Sequence, residues 1–357
     1  MRPISRHGDS HRRTKRILEY LMIEYADIVA GMAWGDEGKG KVVDHLAKNR
    51  EYDFVCRWAG GPNAGHTVYV GGERYKTHLI PSGVFSGTTS IIGPACVLNP
   101  TKFFEEINYL EENGFDCSLV KVSPRTHIIS SEHIRSDEKS LSQILGTTGN
   151  GIAPCYGDKA YRKGTLAKDI ASLEKFLWDG TLSGKILCEG AQGIWLDLDW
   201  GNYPFVTSST CAPYGACSLG ISPHKLREIW GVAKIYDTRS GRDPLFPTTL
   251  NLDPNFREIQ RLGHEFGTTT GRRRQVNWLN LTKLVEAINL SGATHIVINK
   301  CDILEQLGIF KLYWENELYE FQTLKRMQTF ITMKIYDFTN IKKPLYLFYS
   351  SSPLKIN

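Results

Sequence analysis

Short apolar runs alternate with amphipathic segments along most of the chain from Tyr25 onward. Apolar runs of this length predict buried strands, and the longer segments between them predict helices. The predicted strands are residues 25–32, 53–57, 67–70, 90–92, 185–188, 230–236 and 295–298. The predicted helices are residues 42–47, 101–113, 132–145, 172–178 and 278–290. This alternation predicts an α/β fold with a large, mostly parallel sheet and helices on both faces. Functional loops should then lie at the carboxyl ends of the strands.

The two ends of the chain depart from this pattern. Residues 1–24 are rich in Arg and Lys and have no sustained apolar face before Ile17, which predicts a basic, disordered extension. A translation start at Met22 is the alternative. Residues 310–357 predict a hairpin, a helix over 324–332 and a final strand over 345–349. No linker interrupts residues 25–357, so we expect a single α/β domain there.

Composition narrows the class of protein only slightly. Of the 357 residues, 41% are hydrophobic and 23% are charged, as in ordinary globular proteins. The net charge of +5 suits small anionic substrates and does not require nucleic acid. Eight scattered cysteines form no C-x-x-C pair, which indicates buried thiols more than a zinc site. The chain shows no signal peptide and no long apolar run, so we expect a cytoplasmic protein without membrane contact.

The first predicted strand is followed by a glycine-rich loop, W-G-D-E-G-K-G-K, and then by a helix. This layout predicts a phosphate site, because backbone N–H groups and the helix N-terminus converge on an anion. The spacing from Gly35 to Lys41 agrees with a Walker A loop, but Val42 stands where that loop has a magnesium-binding hydroxyl. Asp36 lies inside the loop, and a carboxylate beside phosphates needs a metal or a proton. The loop therefore predicts chemistry as well as nucleotide binding.

Other loops at predicted strand ends carry polar side chains. They read G-G-P-N-A-G-H-T (60–67), G-T-T-G-N-G (146–151), E-G-A-Q-G (189–193) and Y-P-F-V-T-S-S (203–209). Asn63 suits the edge of a ligand, and His66 suits a phosphoryl oxygen. The hydroxyls and N–H groups of residues 146–151 suit a phosphate monoester. Each loop taken alone also fits an ordinary turn.

Two later stretches are more specific. G-T-T-T-G-R-R-R (267–274) places three hydroxyls before three guanidiniums, which predicts an anion site because arginine binds carboxylates bidentately. N-K-C-D (299–302) follows a strand, as in the guanine-reading motif of GTP-binding proteins. Its Asp302 carboxylate would accept from guanine N1–H and the 2-amino group, and the Lys300 stem would pack on the base. Together with the phosphate loop, it predicts a P-loop-like fold that binds GTP.

Taken together, these loops resemble the adenylosuccinate synthetase family. W-G-D-E-G-K-G-K, N-A-G-H-T, G-T-T-G-x-G-I, E-G-A-Q-G, Y-P-x-V-T-S-S and T-T-G-R-R-R all occur in the order of that family, from about Tyr25 to Asp302. The chain is shorter than the usual bacterial or eukaryotic enzyme and nearer to compact forms. The resemblance implies GTP-dependent phosphorylation of the 6-oxygen of IMP. The amine of L-aspartate then displaces phosphate and gives adenylosuccinate.

The resemblance also implies residue roles. Asp36 would remove the N1 proton and bind Mg²⁺ together with the Gly65 carbonyl, and His66 would stabilise the transferring phosphoryl group. The implied triphosphate contacts are Gly35, Glu37, Gly38, Lys39, Gly40, Lys300, Asp302, Ser350, Ser352 and Pro353. The implied mononucleotide contacts are Asp36, Asn63, Thr148, Arg162, Gln192, Thr207 and Arg272. The implied aspartate contacts are Thr268, Thr269, Thr270, Arg272 and Arg274. Arg162 would reach the mononucleotide phosphate across the interface of a homodimer.

Three departures from the family pattern keep an alternative open. T-R-S-G-R-D-P (238–244) replaces T-R-V-G-A-G-P, S-S-S-P (350–353) replaces S-T-G-P, and Pro62 precedes Asn63. The first loop lies beside the ribose in the family and the second beside the guanine. Certain phage homologues act on dGMP, so dGMP is the alternative acceptor, and ATP or dATP are alternative donors. Asp36, which some of those homologues lack, favours IMP.

Two further interpretations come from other classes of protein. A non-catalytic GTP-binding switch would have a Walker hydroxyl at Val42 and no aspartate site, and the sequence has the reverse. A nucleic-acid-binding protein would interleave aromatics with its arginines, but only Trp278 is near residues 272–274.

Overall fold

A parallel sheet forms the centre of the molecule in the computed structural model, which describes residues 22–246, 253–267, 271–340 and 344–352. The strands of the described residues are β1 (Ile23–Gly31), β2 (Phe54–Arg57), β3 (His66–Val70), β4 (Glu73–Thr77), β5 (Thr89–Ile92), β6 (Val97–Leu98), β7 (Val120–Val122), β8 (His127–Ile128), β9 (Gly184–Glu189), β10 (Leu226–Lys234), β11 (Tyr236–Arg239), β12 (Gln275–Asn280), β13 (His295–Asn299), β14 (Phe310–Trp314), β15 (Glu317–Phe321) and β16 (Tyr346–Tyr349).

Helices connect and cover these strands. The α-helices are α1 (Lys39–Asn49), α2 (Pro100–Glu112), α3 (Ser131–Ser136), α4 (Ser142–Leu145), α5 (Ile152–Tyr161), α6 (Pro254–Leu262), α7 (Leu281–Ser291), α8 (Cys301–Leu307) and α9 (Leu324–Phe338). Short 3₁₀ segments lie at Ser82–Ser86, Ala167–Asp169, Ala171–Phe176, Ile194–Leu196, Pro213–Leu219 and Pro223–Lys225. In the described part of the chain, no helix combines the length and the apolar character that crossing a bilayer requires.

The main sheet has eight strands in the order β16-β13-β10-β1-β9-β2-β5-β7. Every neighbouring pair is parallel, which confirms the predicted α/β fold. The first strand lies in the middle, because Ile28 pairs with Ile229 on one side and with Cys188 on the other. All the strands therefore end at one edge, and the loops after β1, β2, β9, β10 and β13 open there together.

The central strands are buried on both faces, as their unbroken apolar runs predict. On one face of β1, Ile28 and Ala30 join a large core cluster. On the other face, Val29 packs in a cluster with Val42 and Leu46 of α1. Burial of the α1 side chains fixes the start of that helix at the edge of the sheet. A smaller sheet, β11-β12-β14-β15, contains the predicted hairpin of residues 310–321.

Several predicted boundaries are wrong. The helix predicted over 278–290 begins at Leu281 in the structure, three residues later than predicted, because residues 278–280 belong to β12. Asn280 caps α7 by accepting a hydrogen bond from the Lys283 amide, and the apolar pair before it suits a strand as well as a helix. In place of the predicted helix over 172–178, the structure has a 3₁₀ segment, Ala171–Phe176.

The predicted helix over 132–145 is interrupted by a π-helical turn, Asp137–Leu141. The Asp137 carboxylate is buried and accepts from the Thr147 hydroxyl at 2.7 Å and from the Gly151 amide at 2.9 Å. These contacts with the following loop account for the irregular turn. At the N-terminus, β1 already begins at Ile23, so the predicted extension over 1–24 is too long. Residues 1–21 lie outside the described residues, and the single domain over 25–357 stays a prediction.

Candidate active site

A cavity of about 490 Å³ opens at the carboxyl edge of the main sheet. It is bordered by the loops after β1, β2, β9 and β13 of this sheet and by the loop after β11 of the smaller sheet. The predicted site residues that line it are Gly35, Asp36, Glu37, Gly38, Lys39, Gly40, Asn63, Gly65, His66, Thr148, Gln192, Thr207, Arg272, Arg274, Lys300, Asp302 and Ser352. One cavity therefore gathers residues that are up to 317 positions apart, from Gly35 to Ser352.

The phosphate loop reaches α1 through three residues with positive φ. They are Gly35 at 84°, Asp36 at 61° and Gly38 at 94°. Gly38 precedes α1 without a side-chain cap, and the first turn of the helix holds no acidic residue. The first N–H groups of α1 are therefore available to an anion in the cavity.

Glu37 is buried under this loop and shapes it. Its carboxylate accepts from the Gly35 amide at 2.8 Å and pairs with Lys39 at 2.6 Å. A Cβ at Gly31 or Gly193 would lie about 2.5 Å from the same carboxylate, so only glycine fits at these positions. Lys39, predicted to contact a triphosphate, has Glu37 as its partner in this structure.

Asp36 meets two donors from distant parts of the chain. Ser240 donates to its Oδ2 at 3.0 Å, and Arg274 Nε lies 2.8 Å from the same oxygen. The described residues give no hydrogen bond to Oδ1. The Asp36 carboxylate is thus paired with the Arg274 guanidinium, which the family resemblance places in the aspartate site.

Behind Arg274 lies a buried set of charges. Glu265 is inaccessible to solvent and accepts from Arg274 Nη1 at 2.6 Å, from Lys234 at 2.9 Å and from the Tyr236 hydroxyl at 2.8 Å. Burial alone would raise the pKa of Glu265, but Lys234 and Arg274 outweigh it and lower this pKa to about 2. Burial lowers the pKa of Lys234 to about 8, although Glu265 opposes this shift. Arg274 keeps its charge, because Asp36 and Glu265 raise its pKa against the effect of burial.

His66, at the start of β3, is held by Glu189 at the end of β9. The Glu189 carboxylate contacts His66 Nδ1, and its other oxygen accepts from the Ser82 amide at 2.6 Å. Burial, together with the cations of Arg57 and Lys39, lowers the pKa of His66 well below its ordinary value. Because Glu189 occupies Nδ1, Nε2 is the ring nitrogen that remains for a ligand.

Amides and hydroxyls form another part of the cavity wall. Gln192 has a positive φ of 53°, and its buried Oε1 has no hydrogen-bond partner among the described residues. Asn63 Oδ1 accepts from the Gly61 amide at 3.1 Å, and Arg272 donates to the Gly146 carbonyl at 3.3 Å. Thr148 and Thr207 also border the cavity. A buried amide oxygen without a partner indicates a ligand that donates to it.

The N-K-C-D motif lies beside the phosphate loop. Asn299 donates to the Glu37 carbonyl at 2.8 Å and accepts from Lys41 at 3.2 Å. Lys41 also donates to the Ser352 carbonyl at 2.6 Å and contacts the Ser350 hydroxyl, and burial lowers its pKa to about 8. This lysine thus joins the first loop to the end of the described chain. Ser350 is fully buried beneath the cavity.

Among the predicted site residues that the structure describes, Arg162 and Ser350 do not line the cavity, and Arg162 is the exposed one. It follows α5 with a φ of 63°, and its side chain is exposed. Thr268, Thr269, Thr270 and Pro353 lie outside the described residues, so their predicted contacts stay predictions.

Sequence reasoning missed several residues that organise the site. Glu189 stood inside a recognised loop, but its contact with His66 is visible only in the fold. Lys234 ends an apolar strand, and a charge at that point was a signal that could have been used. Ser240 lies in the stretch 238–244, where the sequence indicated a departure from the family but no role for this side chain. It acts through a contact with Asp36, 204 positions away. Glu265 lies in a loop without a distinguishing pattern and contacts Arg274, nine positions later.

The oxygen donors near the phosphate loop fit Mg²⁺. The Asp36 carboxylate and the Gly65 main-chain carbonyl border the same cavity. Mg²⁺ prefers oxygen ligands and usually takes one or two from the protein, with phosphate and water completing its shell. The donor set therefore agrees with the predicted metal, provided that Arg274 gives up its position at Asp36.

Comparison with known proteins identifies relatives over most of the chain. A family model described as adenylosuccinate synthetase matches residues 28–181 and 173–338. The adenylosuccinate synthetase of Heliobacterium modesticaldum is 39% identical over 342 residues, covering 80% of this chain and 79% of the relative. That of Desulforapulum autotrophicum is 38% identical over 343 residues, with the same coverage of both chains.

Two solved structures share the fold. The fully ligated adenylosuccinate synthetase from Plasmodium falciparum has a TM-score of 0.78 and 26% identity, covering 92% of this chain and 98% of that one. The succinoaminodeoxyadenylate synthetase of cyanophage S-2L, bound to dGMP and dATP, has a TM-score of 0.71 and 18% identity. It covers 93% of both chains, and at this identity the likeness concerns the fold alone.

Glu265→Gln tests the buried charges behind the cavity. The change keeps the side-chain shape but leaves Lys234 and Arg274 without their shared carboxylate. We expect the free energy of unfolding to fall by about 3–5 kcal/mol, as measured by urea denaturation at pH 7. Because the folded-state pKa of Glu265 is lowered to about 2, this difference should be complete above about pH 5 and shrink as the pH falls further.

The matched control is Glu258→Gln, which changes an exposed glutamate paired with Arg261 on α6. It should leave the urea midpoint nearly unchanged. Equal stability of the Glu265→Gln protein and the wild type would show that the buried charges are not coupled as described.

Proposed function

Because this chain belongs to the adenylosuccinate synthetase family, and so is a C–N ligase of purine biosynthesis, we propose that its cavity joins L-aspartate to C6 of IMP using GTP. The supporting observation is that a phosphate loop, an N-K-x-D motif and the carboxylate of Asp36 border one cavity. In the first step, the 6-oxygen attacks the γ-phosphorus and GDP leaves. In the second step, the aspartate amine attacks C6, and the C6–O bond breaks to release phosphate.

Asp36 is the proposed general base. Removal of the N1 proton places negative charge on the 6-oxygen and makes it a nucleophile, so the base must face the purine from the phosphate loop. Its geometry supports this role, since Asp36 borders the cavity where α1 begins. His66 is proposed to donate from Nε2 to the transferring phosphoryl group. An approaching phosphate favours the imidazolium, and Glu189 stabilises that form from the other side of the ring.

The triphosphate is proposed to lie across the first loop, with its base at residues 300–302. Gly35, Gly38 and Gly40 would present N–H groups to phosphate oxygens, and Lys39 would exchange Glu37 for phosphate. Asp302 would accept from N1–H and the 2-amino group of guanine, which adenine lacks, and Lys300 would cover the base. Ser350, Ser352 and Pro353 would close the base site, and Lys41 supports that segment through Ser350 and Ser352.

The mononucleotide is proposed to occupy the wall of amides and hydroxyls. The unpartnered oxygen of Gln192 suits a donor on the purine or the sugar, and Asn63 suits the purine edge. Thr148 and Thr207 would hold the phosphate. Arg272 contacts Gly146 in the loop that also holds Thr148. The sugar would lie between Arg272 and Thr148.

Aspartate is proposed to bind Arg274 and Arg272, with residues 268–270 completing the site. Its carboxylates would draw Arg274 away from Asp36, with Glu265 still holding the guanidinium from behind. Asp36 and Gly65 would hold Mg²⁺. When bound, this ion neutralises charge on the triphosphate.

A homodimer is part of the proposal. Arg162 is exposed and does not border the cavity of its own chain, so it is available to the phosphate site of a second copy. The cytoplasmic location expected from the sequence stays a prediction.

The acceptor is tested by incubating the protein with GTP, Mg²⁺, L-aspartate and either IMP or dGMP. We expect phosphate release and a new N6-succinyl product with IMP, at a kcat/KM at least about tenfold above that with dGMP, equivalent to ~1.4 kcal/mol. A preference for dGMP would instead indicate that the cavity-lining residues Ser240–Arg242 select a deoxyribonucleotide. Repeating the assay with ATP or dATP measures donor selectivity. No release with either acceptor would contradict the proposed function.

Asp36→Asn tests the general base. Asparagine tolerates the positive φ at this position but cannot take a proton. We expect kcat to fall by about 10²–10⁴-fold, with GTP and IMP affinities, measured by calorimetry, changed much less. The control is Asp116→Asn on an exposed turn, which should keep full turnover. More than about a tenth of wild-type turnover in Asp36→Asn would argue against proton removal by this side chain.

Arg162→Asn tests the action across a dimer interface. The variant alone should lose mononucleotide affinity, because a cation is missing from the phosphate site. Mixing it with Asp36→Asn should form hybrid dimers in which one of the two sites has both Asp36 and Arg162 intact. Since about half of all dimers are hybrids, about a quarter of all sites should regain turnover. If Arg162 serves its own chain, or if the protein is monomeric, mixing restores nothing. Lys163→Asn, which removes the neighbouring exposed cation, is the matched control.

A further inference from the structure

Ser240 directly follows β11 and reaches the phosphate loop on the other side of the cavity. Its hydroxyl donates to Asp36 Oδ2 at 3.0 Å, and both residues border the cavity. The two positions are 204 residues apart, so the contact exists only in the folded chain. The sequence motifs predict no role for the Ser240 hydroxyl.

The main chain at Ser240 is held firmly. The buried guanidinium of Arg239 donates to the Ser240 carbonyl at 3.2 Å and to the Phe205 carbonyl at 2.7 Å. It also pairs with Asp243 at 3.1 Å. Ser240 is therefore fixed from behind, and its hydroxyl has a defined position relative to Asp36.

The contacts of Asp36 are asymmetric. Arg274 Nε lies 2.8 Å from Oδ2, the oxygen that Ser240 also contacts, and the described residues give no hydrogen bond to Oδ1. The other charged groups around this carboxylate are Lys234 and Glu265 behind Arg274, and Glu37 and Lys39 in its own loop. A carboxylate fixed through one oxygen presents the other in a defined direction.

We propose that Ser240 is a positioning residue that holds Oδ2, so that Oδ1 of Asp36 takes the N1 proton of the purine. The inference rests on the proposed function. The N1–H electron pair moves into the ring, the 6-oxygen forms its bond to phosphorus, and the bond from phosphorus to the GDP oxygen breaks. Aspartate engages Arg274 in the proposed function, and Ser240 is then the donor that still fixes the base.

The test compares Ser240→Ala with Ser240→Thr, which keeps the hydroxyl. We expect Ser240→Ala to lower kcat by about tenfold or more, the effect of losing one hydrogen bond to a charged group, with each KM within about threefold of wild type. Ser240→Thr should recover most of this loss. Ser86→Ala is the matched control, because the Ser86 hydroxyl donates to the Gly83 carbonyl away from the cavity and its loss should not affect kcat.

A second readout isolates the first chemical step. With IMP and GTP but no aspartate, transient phosphoryl transfer scrambles ¹⁸O from the β,γ-bridge of GTP into nonbridging β positions. Because Arg274 stays at Oδ2 when aspartate is absent, we expect Ser240→Ala to slow this exchange by less than it lowers kcat. A crystal structure of the variant with aspartate bound should show the Asp36 carboxylate rotated.

The possible outcomes separate the inference from the function on which it rests. Unchanged kcat and exchange in Ser240→Ala, with an active wild type, would overturn the inference alone. So would a raised KM for aspartate at unchanged kcat, because Ser240 would then act only through Arg274. A wild-type protein without turnover on IMP or dGMP would overturn the proposed function and this inference together.

Discussion

The site depends on the ion pair between a carboxylate inside the phosphate loop and a guanidinium from a distant part of the chain. Asp36 is balanced by Arg274, which is held in turn by the buried Glu265 and its partner Lys234. Each buried charge has an opposite charge beside it, and an unpaired one would be strongly destabilising. The buried charge of Glu265 thus extends the site behind Arg274, which lines the cavity. In the proposed function, Arg274 would link the base to the aspartate site, so aspartate binding and exposure of Asp36 would be coupled through one side chain.

The parallel sheet supplies the second constraint. Since β1, β9, β10 and β13 all run in one direction, their following loops share an edge, and the cavity forms where these loops meet. Burial of α1 against the sheet aims its N-terminus at the same place. Asn299 and Lys41 then tie the base-reading motif to the phosphate loop. The distance between the phosphate loop and the N-K-C-D motif is thus set by packing in the core, not by the loops alone.

Much of this arrangement could be predicted from local patterns. Apolar runs predicted the strands of the main sheet other than β7. Glycine-rich loops after them predicted residues of the cavity wall, such as Asn63 and Gln192. Local patterns failed where two structures suit the same residues. Trp278 and Leu279 are apolar on either a strand or a helix, and their place in β12 depends on pairing with β11 and β14. The interrupted helix near Asp137 likewise depends on contacts with a later loop.

The sequence by itself determined the fold class, the order of the loops and the family, because spacing and residue type within a short stretch specify each of them. Only the tertiary structure decided which groups face one another. Glu189 against His66 and Ser240 against Asp36 are contacts between residues that no local pattern connects. Charges in a buried site interact over a few ångströms regardless of their separation along the chain, so their partners follow from the packing of the folded sheet and not from the order of the sequence.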